Sequence, residues 1–213
     1  MKRWLLLVLT IVFLLTSCRN QQVQDIQAQE LQRDYFIATG HTLQGKFLHF
    51  FNIYGGVESL GYPLTEEITV DGWTMQYFEK GRLELHPENE PAYRITVGWL
   101  GDLLHRRRPP IPISAIPRPD DRGRLYFPQT GHTLSGDFLN YFTNSGGTIR
   151  FGLPISEPFL WEGQLVQDFQ SARFYWTPTQ PVPVTLEEIG RVHFDVSKLD
   201  RKLLQVVPAP EKK

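Results

Sequence analysis

Apolar residues along this chain fall into two helical clusters and two pairs of extended runs, and the second set has the spacing of the first. Phe47, Phe50, Phe51 and Tyr54 lie at i, i+3, i+4 and i+7, one face of a short helix. Phe138, Tyr141 and Phe142 repeat that spacing. Each cluster runs into a glycine pair, Gly55-Gly56 or Gly146-Gly147, where a residue without a Cβ can turn left-handed and end a helix. Leu60-Gly61-Tyr62-Pro63 and Phe151-Gly152-Leu153-Pro154 follow as turns, because proline cannot continue a helix. Strand-like runs at 73–78 and 82–86 flank Glu79-Lys80-Gly81 and predict a β-hairpin, and 165–169 with 173–176 predict another.

The two sets are one segment written twice. Residues 35–87 and 126–178 align without a gap, 91 residues apart, with 21 identities in 53 positions. A period of this kind identifies a duplication and governs the reading of the fold. The class is α+β: two tandem pseudo-symmetric repeats, each a short helix plus a β-hairpin. A unit of about 65 residues is marginal alone, so the two are expected to pack together. The chain divides into a leader (1–17), a polar Gln-rich spacer (18–34), repeat 1 (35–101), a Pro-rich linker (102–124), repeat 2 (125–190) and a C-terminal extension (191–213). Within the linker, Arg106-Arg107-Arg108 beside Pro109-Pro110 reads as a solvated run. A short helix is expected at 197–204 and no regular structure at 208–213.

The leader bears on location. Lys2 and Arg3 precede an apolar run from Trp4 to Leu15, shorter than the ~20 residues a membrane-spanning helix needs, as in a signal peptide. Leu15-Thr16-Ser17-Cys18 resembles a bacterial lipobox, which implies that Cys18 becomes the lipidated mature N-terminus on the outer face of the cytoplasmic membrane or elsewhere in the envelope. One acyl chain holds a protein only marginally, and the diacylglycerol that the resemblance implies supplies the second. Cys18 is the only cysteine, which excludes a disulfide framework and a thiolate metal cluster. Loss of residues 1–17 would remove Lys2 and Arg3 and no acid, moving the net charge from −1 to −3. An acidic balance argues against a nucleic-acid partner.

Polar positions shared by both copies are Thr39/Thr130, His41/His132, Thr42/Thr133, Glu66/Glu157, Gln76/Gln167 and Arg82/Arg173. What both copies keep is first of all what the fold needs. Glu66 with Arg82 and Glu157 with Arg173 are expected to form structural ion pairs, each joining the Gly-x-Pro turn to the hairpin. His41 and His132 are candidates for turn bonding or ligand contact. Glu84 and His86, two apart on one strand, share a face. Trp73, Tyr77, Trp99, Trp161, Tyr175 and Trp176 are the aromatics that could stack on sugar, with Trp73, Tyr77, Tyr175 and Trp176 taken as candidate binding residues. Neither H-E-x-x-H nor C-x-x-C occurs, and no cofactor is expected.

The Leu/Phe-Gly-x-Pro turn, followed by Glu66 or Glu157 and then by G-x-x-x-Q-x-F, resembles the LGFP repeat of bacterial cell-envelope proteins, most closely from Phe151 to Pro178. The resemblance implies a wall-associated binding lipoprotein. The expected function is that of a lipid-anchored, non-catalytic surface module holding cell-wall polysaccharide or another envelope component. One alternative is a structural or protein-interaction lipoprotein that docks a secreted enzyme. The other is a cell-wall glycan hydrolase using Glu66 or Glu157. Replacing Cys18 with Ala should abolish incorporation of labelled fatty acid, since no other cysteine can accept it; retained label would refute the anchor.

Overall fold

The computed structural model describes residues 32–210. The leader, Cys18 and most of the spacer therefore lie outside the described residues, as do residues 211–213. The molecule is mixed α and β, as the sequence predicts, with its elements in one order used twice. The first unit runs β1 (Arg33–Phe36), β2 (His41–Gln44), α1 (Gly45–Ile53), α2 (Gly56–Leu60), β3 (Ile68–Val70), β4 (Trp73–Phe78), β5 (Gly81–Leu85), β6 (Ile95–Val97) and α3 (Leu100–Leu103). The second runs β7 (Arg124–Phe127), β8 (His132–Ser135), α4 (Gly136–Asn144), α5 (Gly147–Phe151), β9 (Phe159–Trp161), β10 (Gln164–Asp168), β11 (Arg173–Trp176), β12 (Val184–Leu186) and α6 (Ile189–Val196). Each unit holds a two-stranded ribbon and a four-stranded antiparallel meander, β3-β4-β5-β6 and β9-β10-β11-β12.

The expected helix and hairpin form in both units, with more around them. Each first helix ends before the glycine pair, as expected, and because Gly55 and Gly146 are left-handed the chain enters a second, short helix at once. The hairpins grow into meanders because short β-branched or apolar runs, Ile68–Val70 and Ile95–Val97 in the first unit, pair on either flank. Phe47, Phe51 and Phe78 sit in one core, and Phe138, Phe142 and Phe169 sit at the matching places in the other. The Gly-x-Pro turn lies along the hairpin through matching bridges, Pro63 to Phe78 and Pro154 to Phe169. Gly61 and Gly152 make that approach possible. Both have positive φ, and a Cβ on either would lie 2.6 Å from the Cβ of Glu79 or Gln170.

One departure from the expected boundaries decides the architecture. Each unit's final segment leaves its own sheet and docks on the other unit. Gly101 N–H donates to Gln170 O at 2.7 Å, and Gly190 N–H donates to Glu79 O at 3.0 Å. Those two acceptors are equivalent positions in the two hairpin turns. Beyond α3 the linker crosses to the second unit, where Ile111 N–H reaches Gly131 O, and beyond α6 the tail crosses to the first, where Val207 N–H reaches Gly40 O. The expected helix at 197–204 is a 3-10 turn over Arg201–Leu204, and the helix proper lies earlier, at α6. A boundary drawn at Gly190 would cut it. Phe194 of that helix, with Leu64, Met75 and Tyr77, makes a third core on the outer face of the first sheet.

Equivalent positions also meet between the units. Arg150 and Ser59 correspond in the repeat, and Arg150 donates to Ser59 Oγ at 2.8 Å, Ser59 O at 2.7 Å and Lys80 O at 3.0 Å. Its exposure is 0 %, and burial pushes its pKa down to about 10, opposed by the Tyr141 phenol. Its hydrogen bonds all reach neutral oxygens of the first unit, so the charge acts as a polar bolt between units.

Gly101 and Gly190 have no room for a methyl group: a Cβ would lie 2.1 Å from Phe169 O and 1.9 Å from Phe78 O. Gly101→Ala and Gly190→Ala should each destabilise the protein by about 3 kcal/mol. Gly123→Ala, whose Cβ would meet only Asp121 Oδ1 at 3.5 Å, should be nearly neutral. Urea unfolding measures all three, and an unchanged midpoint for either buried glycine would refute the crossing.

Candidate functional site

The shared polar residues build the fold. Glu66 Oε1 accepts the Thr42 N–H at 2.7 Å, and Gln76 Nε2 donates to Thr42 O at 2.8 Å and Thr65 O at 2.7 Å. The second unit repeats this: Glu157 Oε1 accepts Thr133 N–H at 2.7 Å, and Gln167 donates to Thr133 O and Ser156 O. The result is a latch between ribbon, turn and sheet, buried at the glutamines and partly exposed at the glutamates. His41 and His132 are buried beside it, each Nδ1 3.4 Å from the latch carboxylate but not aligned for a hydrogen bond. His132 Nε2 meets Arg108 O at 3.1 Å. Both histidines are thus shut away from ligands.

The expected ion pairs do not form. Arg82 donates to Glu84 through Nε, at 2.9 Å, and through Nη2, and to the Tyr77 hydroxyl through Nη1. Arg173 grips Asp168 through Nε and Nη2 at 2.6 and 3.1 Å. The reason is strand geometry. Arg82 and Arg173 point to the outer face of their sheets, alongside residues two positions away or directly across, whereas Glu66 and Glu157 turn inward to the latch. Identity between copies located these arginines but not the face on which they act.

On the outer face of the first sheet a chain of polar groups floors a cleft of about 640 Å³. Tyr77 Oη lies 3.0 Å from His193 Nδ1 on α6 and accepts from Arg82, Arg82 holds Glu84, and Glu84 Oε2 lies 3.2 Å from His86 Nε2. His86 packs edge-on against Trp73 with centroids 4.3 Å apart. Trp73 is 42 % exposed at the mouth, whereas Tyr77 is 1 % exposed and offers no platform. Burial is the main force raising the Tyr77 pKa.

The equivalent face of the second unit is narrowed by its own chain to a cavity of about 380 Å³. Arg106 from the linker pairs with Glu187 and lies 3.9 Å from Asp168, Arg173 joins the same acids, and Arg108 stacks on Phe159 at 3.7 Å. Arg106 is therefore structural, contrary to the solvated run expected, whereas Arg107 and Arg108 are exposed. Tyr175 is drawn into this cluster, its hydroxyl 3.3 Å from Glu187, and burial raises its pKa. Trp176 packs on the second core and donates Nε1–H to Asp137 at 2.8 Å. Neither is an open platform.

A second surface, unforeseen in the sequence, lies between the units. A groove of about 770 Å³ runs along β6, between α1 and α5. Its aromatic wall is Tyr54, Tyr93 and Trp99, with Tyr93 61 % and Trp99 57 % exposed. Lys46, His49 and Arg94 also line it, and no Asp or Glu does. Its floor is the β6 edge of the first sheet, half-buried at Ile95 and buried at Val97, whose carbonyl accepts from Ser171 Oγ. His86 N–H reaches Arg94 O and Gly98 N–H reaches Arg82 O, so the alternate residues Ile95 and Val97 turn their backbone N–H groups away from the sheet. Of the groove's aromatics only Trp99 was among those singled out in the sequence. The rest are assembled by the crossing and by the 3-10 turn at Pro91–Tyr93.

Among the described residues no cluster of three or more His, Cys, Asp or Glu side chains could hold a metal ion, and no helix is long and apolar enough to cross a membrane. Neither a protein-family model nor a curated protein matches the chain.

His193 carries a pH dependence. Burial first and the Arg82 guanidinium second push its pKa from 6.5 down to about 4, with Glu84 opposing. Below pH 6.5 the unfolded chain takes up a proton that the folded chain excludes, so stability falls as pH drops toward 4 and this loss levels off below it. The half-buried ring keeps some contact with water, so the loss between pH 7 and 5 is on the order of 1 kcal/mol. Urea unfolding should show the stability gap between wild type and His193→Gln narrowing by that amount over the interval; a constant gap would refute the assignment.

Proposed function

We propose that the protein is a lipid-anchored, non-catalytic binding module of the bacterial envelope that holds cell-wall polysaccharide. The observation that carries this reading is the groove along β6, where exposed aromatic faces stand above outward-turned backbone N–H groups. Flat rings suit the apolar faces of sugars, and edge donors suit their hydroxyls. The likeness of the Gly-x-Pro turns and their following motifs to LGFP repeats supports the same placement, and so does the lipobox-like sequence at Cys18.

A non-catalytic reading is supported by the state of the carboxylates. Glu66 and Glu157, the acids a hydrolase would need, accept backbone N–H groups in the latch. Two acids, Asp71 and Glu84, line the outer cleft, and Glu84 is engaged by Arg82 and His86. The groove itself is lined by no acid. Glycoside cleavage wants a pair of carboxylates facing one bond.

The test is co-sedimentation of the mature lipidated chain, in detergent micelles, with purified cell wall. Trp99→Ala and Tyr93→Ala should each weaken binding about tenfold, or ~1.4 kcal/mol, with unfolding midpoints unchanged. Trp73→Ala, in the other cleft, should bind as wild type. Unaltered binding in both groove variants would overturn the reading.

A further inference from the structure

Comparison of the two units isolates what the groove has acquired. A residue required only for folding should recur at the matching place in the other unit, as the latch residues do. Apart from Thr96, which matches Thr185, the groove residues do not recur. Lys46 corresponds to Asp137, His49 to Asn140, Tyr54 to Ser145 and Ile149 to Glu58. Pairing of β5 with β6 and of β11 with β12 aligns Ile95 with Val184, so Arg94 corresponds to Pro183 and Trp99 to Glu188. The matching surface across the axis therefore carries Asp137, Glu58 and Glu188 where the groove carries a lysine, an isoleucine and a tryptophan, against one added cation, Lys80 in place of Ser171. The folds are alike and the charge is reversed.

That reversal occurs in a chain whose net charge is −1, so the groove's cationic lining is a local feature and not a reflection of composition. The Arg94 guanidinium is tethered through Nε to Asn89 O at 3.2 Å, which leaves its two terminal nitrogens directed elsewhere. With the Ile95 and Val97 N–H groups beside it, the groove offers donors on one wall and ring faces on another. A neutral glycan would use the rings and the edge but would not need Arg94 or His49. An anionic one would use all of them.

We propose that the groove selects an anionic wall polymer, in which ring faces stack on Trp99 and Tyr93 while carboxylate or phosphate groups bind Arg94, His49 and the β6 edge. This rests on the glycan-binding reading and adds the charge of the ligand. The probes are polygalacturonate, poly(N-acetylglucosamine 1-phosphate) and a neutral β-glucan of matched length, titrated against the mature lipidated chain in micelles.

At about 50 mM salt the anionic polymers should bind at least about tenfold tighter than the glucan, with the margin shrinking at about 500 mM as the charges are screened. Arg94→Gln and His49→Asn should erase that margin while leaving glucan binding in place. Selectivity for polygalacturonate alone would support a carboxylate ligand, and selectivity for poly(N-acetylglucosamine 1-phosphate) alone a phosphodiester. Equal affinity for all three polymers, lost together in Trp99→Ala, would overturn the charge proposal and leave the glycan site standing. Polymer binding that Trp99→Ala does not alter would overturn the glycan site as well.

Discussion

The architecture depends on two backbone contacts that tolerate no side chain. Gly101 and Gly190 press against the carbonyls of the opposite hairpin turns, and each contact orients a short helix and the chain beyond it. Because both segments cross, neither unit is complete alone. The first sheet needs α6 and the tail to cover Met75 and Tyr77, and the second needs Arg106 of the linker to pair with Glu187 beside Asp168. Arg150 secures the contact from within. Its fully buried charge has neutral acceptors only, a costly arrangement that persists because three oxygens of the facing unit converge on it.

Duplication separates structural from acquired chemistry within one chain. The latch of Thr, Glu and Gln recurs with bond lengths that agree to a few tenths of an ångström, so those identities record a shared packing problem. The outer faces of the sheets have diverged. One carries a tyrosine, a histidine and an open cleft, and the other a smaller cavity beside a cluster of two arginines and two acids. The groove has diverged further, to opposite charge.

Much of the fold was legible in the sequence for reasons that remain visible in the structure. Aromatic spacing at i, i+3 and i+4 marked the two helices, glycine and proline marked the turns, and the repeat itself fixed their order. Three-residue strands such as Ile68–Val70 are too short to carry a period, so the meanders were read as bare hairpins. The crossing could not be read, because Leu100-Gly101 and Ile189-Gly190 look like any helix start until the carbonyl they approach is known. The candidate site fared worse for the same physical reason. Trp73 was found at a cleft mouth, but His41, His132, Tyr77, Tyr175 and Trp176 were found engaged in packing or internal bonds. Arg82 and Arg173 lie across their sheets from the glutamates with which they had been matched. Tyr93, Arg94 and Ile149 carry no pattern in sequence, since a turn and two separate units bring them together.

The exchanged tails also say something about descent. A single ancestral copy with the same final segment could bury it only against a second copy, so the unduplicated chain would have been a homodimer whose subunits traded C-termini. Fusion through the proline-rich linker turned that concentration-dependent partnership into an intramolecular one. Only after fusion could the two halves accumulate different substitutions, because in a homodimer every change appears on both sides of the axis. A groove that is basic while its counterpart across the axis is acidic is a feature that the symmetric ancestor could not have had.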